Sequence, residues 1–216
     1  QESQDDRIRG DIFAASVDKA LAEIVKKNLE AARSDQAKET LRGYFGDQWA
    51  NLDAQARDFL VTAEVLKDEL SSYADTDAAF DFSPVVAMYS KALERDLLQK
   101  LFVPFVASHY AQSFPPETGK KTYDASIQVL QKFVLGQSKI TLGSMAFCLI
   151  NIGCKLRKVE GNGFARFLES QMGDMSVFCD EYHFPARLNN YVDNYRNRAA
   201  HVSKLTKEEC MSARAF

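Results

Sequence analysis

The sequence predicts an all-α protein, a helical bundle with additional helices at its N-terminal end. Three observations carry that prediction. Apolar residues recur at three- to five-residue steps over long stretches, only ten Gly and five Pro interrupt 216 residues, and no stretch alternates apolar and polar residues as a half-buried strand does. A hydrophobic share of 46% beside 26% charged residues excludes collagen-like, low-complexity and wholly disordered chains. A chain this long buries enough surface to fold without a metal or disulfide staple.

Taken in order, the first helical period runs from Asp11 through Phe13, Val17, Leu21, Ile24 and Leu29 to about Ser34. A shorter segment, Ala37–Phe45, stops at Gly43 and Gly46. Leu52–Leu70 is the next helix, with Phe59, Leu60, Ala63 and Leu66 on one stripe, and Asp75-Thr76-Asp77 breaks it. Ser83-Pro84 is a start signal, Ser capping the free amides and Pro suiting the first helical position. The helix it opens carries Val85, Met88, Tyr89, Ala92, Leu97 and Leu101, and Pro104 kinks or ends it. Phe114–Gly119, with two prolines, reads as a loop. Helical patterns follow at Tyr123–Leu135, Thr141–Ile152, Phe164–Gln171 and Arg187–Val202. Thr206-Lys207-Glu208-Glu209 is a capping box that opens a last helix. The expected subdivision is an N-terminal helical arm over 1–75 and a bundle domain over 76–216.

No run reaches the roughly 18 apolar residues of a membrane span, so no membrane partner is expected. A net charge of −3 argues against a generally basic nucleic-acid binder. Cys148, Cys154, Cys179 and Cys210 form no C-x-x-C pair, which speaks against a zinc ribbon or a thioredoxin-type site. Four scattered cysteines are expected as reduced, partly buried thiols of a cytoplasmic protein. The N-terminus QESQDDRIRG is polar, with no signal peptide visible, and its lack of Met suggests an excised piece. No cofactor and no bound metal are expected.

Gly161-Asn162-Gly163 is a G-x-G without a preceding strand or a third glycine, so it reads as a helix-joining turn rather than a dinucleotide loop. His109 and His183 stand alone, and Glu94 and Asp96 lie mid-helix, where solvated or ion-paired carboxylates are the plain reading. Arg187–Val202 is more informative. Projected at about 100° per residue, Leu188, Val192, Tyr195, Ala199 and Val202 share a core face. Asn197 and His201 point to the opposite side, with Arg196 on the flank. A polar face at a helix end is often merely solvated.

Residue identity points further. Arg196-Asn197-Arg198-Ala199-Ala200-His201, followed by a short turn and a capped helix, resembles the R-x4–6-H signature of the HEPN superfamily (higher eukaryotes and prokaryotes nucleotide-binding domains). Ser83–Leu101 and Leu142–Leu149 look like helices of its bacterial members, extending the likeness over roughly 81–216. The resemblance implies an up-and-down helical bundle that dimerises and brings two motifs into one cleft, and many members are metal-independent endoribonucleases. It implies Arg196 and His201 as the catalytic pair, Asn197 as an orienting residue, Glu94 as an assisting carboxylate from an earlier helix, and Arg198 and Lys204 on the substrate. Where one subfamily continues R-x4-H-x-Tyr, this chain has Ser203, so nucleotidylation of that Tyr is not supported.

The residue types fit that chemistry. RNA cleavage without a metal uses the substrate's own 2′-hydroxyl, and needs a proton carrier near neutrality and forked donors for the phosphate, which His and Arg supply. One His cannot readily serve both the attacking and the leaving oxygen; two across a symmetric interface can. From Arg187 to Phe216 six Lys/Arg face three acids, an excess that attracts a polyanion. The expected partners are RNA, a second copy of the chain, and an antitoxin or regulatory protein in a toxin or antiphage defence setting. The alternative is a non-catalytic HEPN-like module serving dimerisation or nucleotide and RNA binding within a larger protein. A plain helical adaptor with a chance motif is the third reading.

Overall fold

The computed structural model describes residues 31–73, 80–180, 183–201 and 204–216, and every regular element among them is helical. The chain is all-α. In order the helices are α1 (Ala31–Phe45), α2 (Gln48–Asn51), α3 (Ala54–Tyr73), α4 (Ser83–Leu97), α5 (Val103–Ala107), α6 (Lys121–Val134), α7 (Leu142–Cys148), α8 (Gly163–Met172), α9 (Met175–Phe178), α10 (Phe184–Tyr191), α11 (Asn197–Ala200) and α12 (Lys207–Arg214). Three π-helical turns continue α4, α7 and α10, over Leu98–Phe102, Leu149–Lys155 and Val192–Arg196, and His109–Gln112 is a 3-10 turn. Most of the helix expected from Asp11 lies outside the described residues, as does the boundary expected at 75/76.

The local chemistry accounts for most helix ends. Gly46, at φ 54°, ends α1 in a backbone conformation that a side chain disfavours. Ser83 opens α4, and the carboxylate of Asp81 takes its amide at 2.9 Å and its hydroxyl at 2.6 Å. Pro104 sits in the first turn of α5, directly after a π-helical turn. An extra residue there loosens the ladder where a proline ring would strike the carbonyl four residues back. The capping box at Thr206 and Glu209 is present with both of its hydrogen bonds.

The described residues group into two compact units. The first holds the described residues up to Ala92 together with Tyr195–Phe216; the second is Leu93–Asn194. In the first, α1 packs on α3 around Ala37, Leu41, Trp49, Val61 and Val65, flanked by Phe45, Leu52 and Leu60. Of the stripe expected on α3 only Ala63 is fully buried, and Glu64 is buried beside it at 1% exposure. The Glu64 carboxylate accepts hydrogen bonds from Tyr89 Oη at 2.9 Å, from Arg214 Nε at 2.6 Å and from Lys67 Nζ. Burial pushes its pKa up, but the bonds from Arg214, Lys67 and Tyr89 outweigh that and hold it below the usual carboxylate range. Arg214 also lies over the Tyr44 ring, 4.9 Å from its centre.

In the second unit Phe102, Phe105 and Phe164 are fully buried, with ring centres 5.0–5.5 Å apart for the pairs Phe105–Phe164 and Phe102–Phe164. The Gly161-Asn162-Gly163 turn joins helices as expected. Buried Asn162 donates to the carbonyls of Ile152 and Leu156 at 2.8 and 2.9 Å, and its Oδ1 accepts from Ala165 N. One side chain thus closes one helix and caps the next. Gly163 has no room for a side chain, since a Cβ there would lie 2.1 Å from the Tyr110 carbonyl oxygen.

The expectation of four reduced thiols is corrected for one pair: Cys154 and Cys179 form a disulfide. Nothing in the spacing could pair them, because packing of α9 beyond α8 brings position 179 back to the π-helical turn. Cys148 and Cys210 are free and buried, and burial pushes their thiols up to about 12 and about 11. A bridge between residues 25 apart restricts the unfolded chain by about 3.5 kcal/mol on loop-closure entropy. The Cys154→Ser/Cys179→Ser variant is therefore expected to lose roughly 3 kcal/mol in urea unfolding at pH 7, and wild type with a dithiol reductant to lose as much.

Candidate functional site

The segment that carries the R-x4-H motif begins with Pro185 in the first turn of α10, where a missing amide costs nothing. Leu188, Tyr191 and Val192 are buried at 0–5% exposure and anchor its start. The projected core face then fails. Tyr195 and Ala199 are only half-buried, and Val202 lies outside the described residues. The π-helical turn Val192–Arg196 is the reason: one residue more in the turn rotates everything after it by roughly 100° relative to an unbroken α-helix.

That turn hands over directly to the motif. Arg196 and Asn197 are half-buried, and Arg196 Nη1 donates to Asn197 Oδ1 at 3.0 Å, so the amide fixes one edge of the guanidinium. His201 ends α11. Its backbone turns extended (φ −110°, ψ 169°), its amide is held by the Asn197 and Arg198 carbonyls at 3.1 and 3.3 Å, and its side chain is exposed. Among the described residues no side chain hydrogen-bonds or pairs with the imidazole.

The other expected residues fall differently. Arg198, expected on the substrate, is paired with Glu209 at 2.5 Å, with the two side chains 40% and 30% exposed. Glu209 also takes the Thr206 amide at 2.9 Å, and that backbone bond first, then Arg198, holds its carboxyl below the usual range. Lys204 is exposed. Glu94 belongs to the second unit, and its carboxylate accepts the Leu142 amide at 2.6 Å. It therefore serves the positive end of α7 as a cap supplied from another helix. Among the described residues no group of three His, Cys, Asp or Glu side chains is placed to hold a metal ion, and no helix is long and apolar enough to cross a membrane.

Sequence reasoning missed Asp81, whose carboxylate reaches Leu205 N at 3.1 Å across 124 positions. A hint lay in the pattern Asp81-x-Ser83-Pro84 at a helix start, where an Asp two residues back commonly takes a free amide. Nothing in the sequence tied it to residue 205.

No known family model matches the chain, and no curated protein or solved structure is significantly similar to it.

Proposed function

We propose that this chain is a metal-independent endoribonuclease of HEPN type, with a composite site completed by a second copy. One observation supports the reading above the others: an exposed imidazole leaves the end of a helix five residues after a guanidinium that a neighbouring amide orients. In this reading one His201 removes the proton from a ribose 2′-hydroxyl, whose oxygen attacks the adjacent phosphorus. The second copy's His201 gives a proton to the departing 5′-oxygen. Arg196 holds charge on the phosphorane, and the products are a 2′,3′-cyclic phosphate and a 5′-hydroxyl end. Glu94 and Arg198, already engaged with a helix amide and with Glu209, are left out of the catalytic group.

The same two engagements favour the second reading, a non-catalytic module that binds RNA or a second copy of the chain. Incubation with total RNA in EDTA separates them. The nuclease yields fragments ending in 2′,3′-cyclic phosphate, and the module leaves the RNA intact. A toxin or antiphage setting, with an antitoxin or regulatory partner, belongs to the first reading.

So does a cytoplasmic location, and the Cys154–Cys179 disulfide weighs against it because such bonds are rare in reducing compartments. Acid quenching of intact cells, followed by alkylation of the denatured chain, decides the point. Four blocked cysteines support a cytoplasmic protein, whereas two blocked cysteines place it in an oxidising compartment.

A further inference from the structure

The geometry points to Asp81 as a positioning residue for His201, an inference that rests on the nuclease reading above. His201 is the last fixed point of α11, and the described chain resumes at Lys204. The next anchored residue is Leu205, only four positions on and 1% exposed. Both backbone groups of Leu205 are taken by the segment that opens α4. Its amide donates to Asp81 Oδ1 at 3.1 Å, and its carbonyl accepts from Phe82 N at 2.9 Å. The same Asp81 oxygen accepts the Ser83 amide and hydroxyl at 2.9 and 2.6 Å. A single oxygen therefore fastens the start of α4 to Leu205, four positions after the residue that carries the imidazole.

His201 itself closes α11, and Glu209 joins Arg198 of that helix to the Thr206 amide. An exposed imidazole without side-chain partners among the described residues takes its position from its backbone, and Asp81 holds that backbone at Leu205, four positions on. Because one oxygen accepts all three bonds, a carboxamide can replace the carboxylate there: Asn keeps the acceptor and loses only the charge. A shorter side chain loses the acceptor and leaves the buried Leu205 amide without its partner.

The test compares Asp81→Ala and Asp81→Asn in the full chain. Three readouts are taken: RNA cleavage, amide exchange at Leu205, and the rate at which diethyl pyrocarbonate modifies His201, with His109 and His183 as internal controls. For Asp81→Ala, kcat is expected to fall about tenfold with KM within about twofold. Leu205 exchange should speed at least about tenfold, and His201 modification should change about threefold or more relative to the controls. Asp81→Asn is expected to match wild type in all three. Should Asp81→Ala not fold, Asp81→Glu, which keeps the charge and moves the oxygens by one methylene, takes its place with the same expected shifts. Wild-type His201 modification and Leu205 exchange in Asp81→Ala overturn the inference, and so does an Asp81→Asn variant that behaves like Asp81→Ala. A wild-type chain that cleaves no RNA removes the nuclease reading instead, and leaves the positioning of His201 to the two readouts that need no substrate.

Discussion

His201→Ala is expected to lower RNA cleavage by at least about 100-fold while its melting temperature stays within about 1 °C of wild type, because general acid–base groups contribute 10²–10⁴-fold. The separation of the two effects follows from the structure. The imidazole is exposed at the end of α11 and fills no core position, so its removal leaves no cavity. Arg196→Ala is expected to lose as much activity, and Arg196→Lys to recover little of it, because an ammonium cannot reproduce the forked donors. Asn197→Ala frees the edge of the guanidinium that now donates to Asn197 Oδ1, and a loss of about tenfold is expected. Cleavage assays in EDTA, run beside thermal melts, check the whole series. Alanine variants that cut RNA like wild type would end the nuclease assignment.

A large expected effect on stability, on a par with loss of the disulfide, lies far from the motif in sequence, at Glu64. Its carboxylate is almost fully buried among Arg214, Lys67 and Tyr89, and the Lys67 and Arg214 side chains are themselves only 15% and 18% exposed. Glu64→Ala leaves two cations and a phenol without their common acceptor, which costs about 3 kcal/mol. In a chain of this size that is a fall in melting temperature of roughly 6–12 °C. A pH dependence follows with a definite sign. The folded-state pKa lies below the unfolded one, so this contribution is complete above the unfolded value near 4.5 and is lost as pH falls through the folded value. Urea unfolding from pH 7 down to pH 3 should show wild type losing more stability than Glu64→Gln, which has no such carboxyl to protonate.

These two residues also mark what could be read from the sequence. The helices were legible because their signals are local: the Thr206–Glu209 box, the Gly161-Asn162-Gly163 turn and the period of α6 all act within a few residues. The exposure of His201 agrees with expectation but not by the route that predicted it: the projection assumed an unbroken α-helix, and the π-helical turn that unseats the stripe through Tyr195 and Ala199 leaves no mark in an apolar period. Glu64 fell on a helix read by its apolar residues, and its partner Arg214 stands 150 positions away. Cys154 and Cys179 were counted but could not be paired. Asp81 drew no reading, because its importance comes from an amide at Leu205. For Glu64, Cys154 and Asp81 the deciding partner is distant along the chain, and only packing reveals it.

The first unit is made of two pieces separated by the whole of Leu93–Asn194, and Arg214 belongs to the later piece. During synthesis Glu64 and Lys67 emerge from the ribosome about 150 residues before the guanidinium that completes their cluster. Over that interval the second unit, continuous in sequence, can fold on its own schedule, while the first waits half-assembled. A nascent chain stalled before Arg214 should therefore expose the α3 surface to proteases and chaperones that the finished chain resists. For a protein whose proposed activity is RNA cleavage, this has a further result: Leu205 arrives in the same late stretch as the R-x4-H motif, 124 positions after its anchor Asp81, so no competent site exists until that stretch has been made.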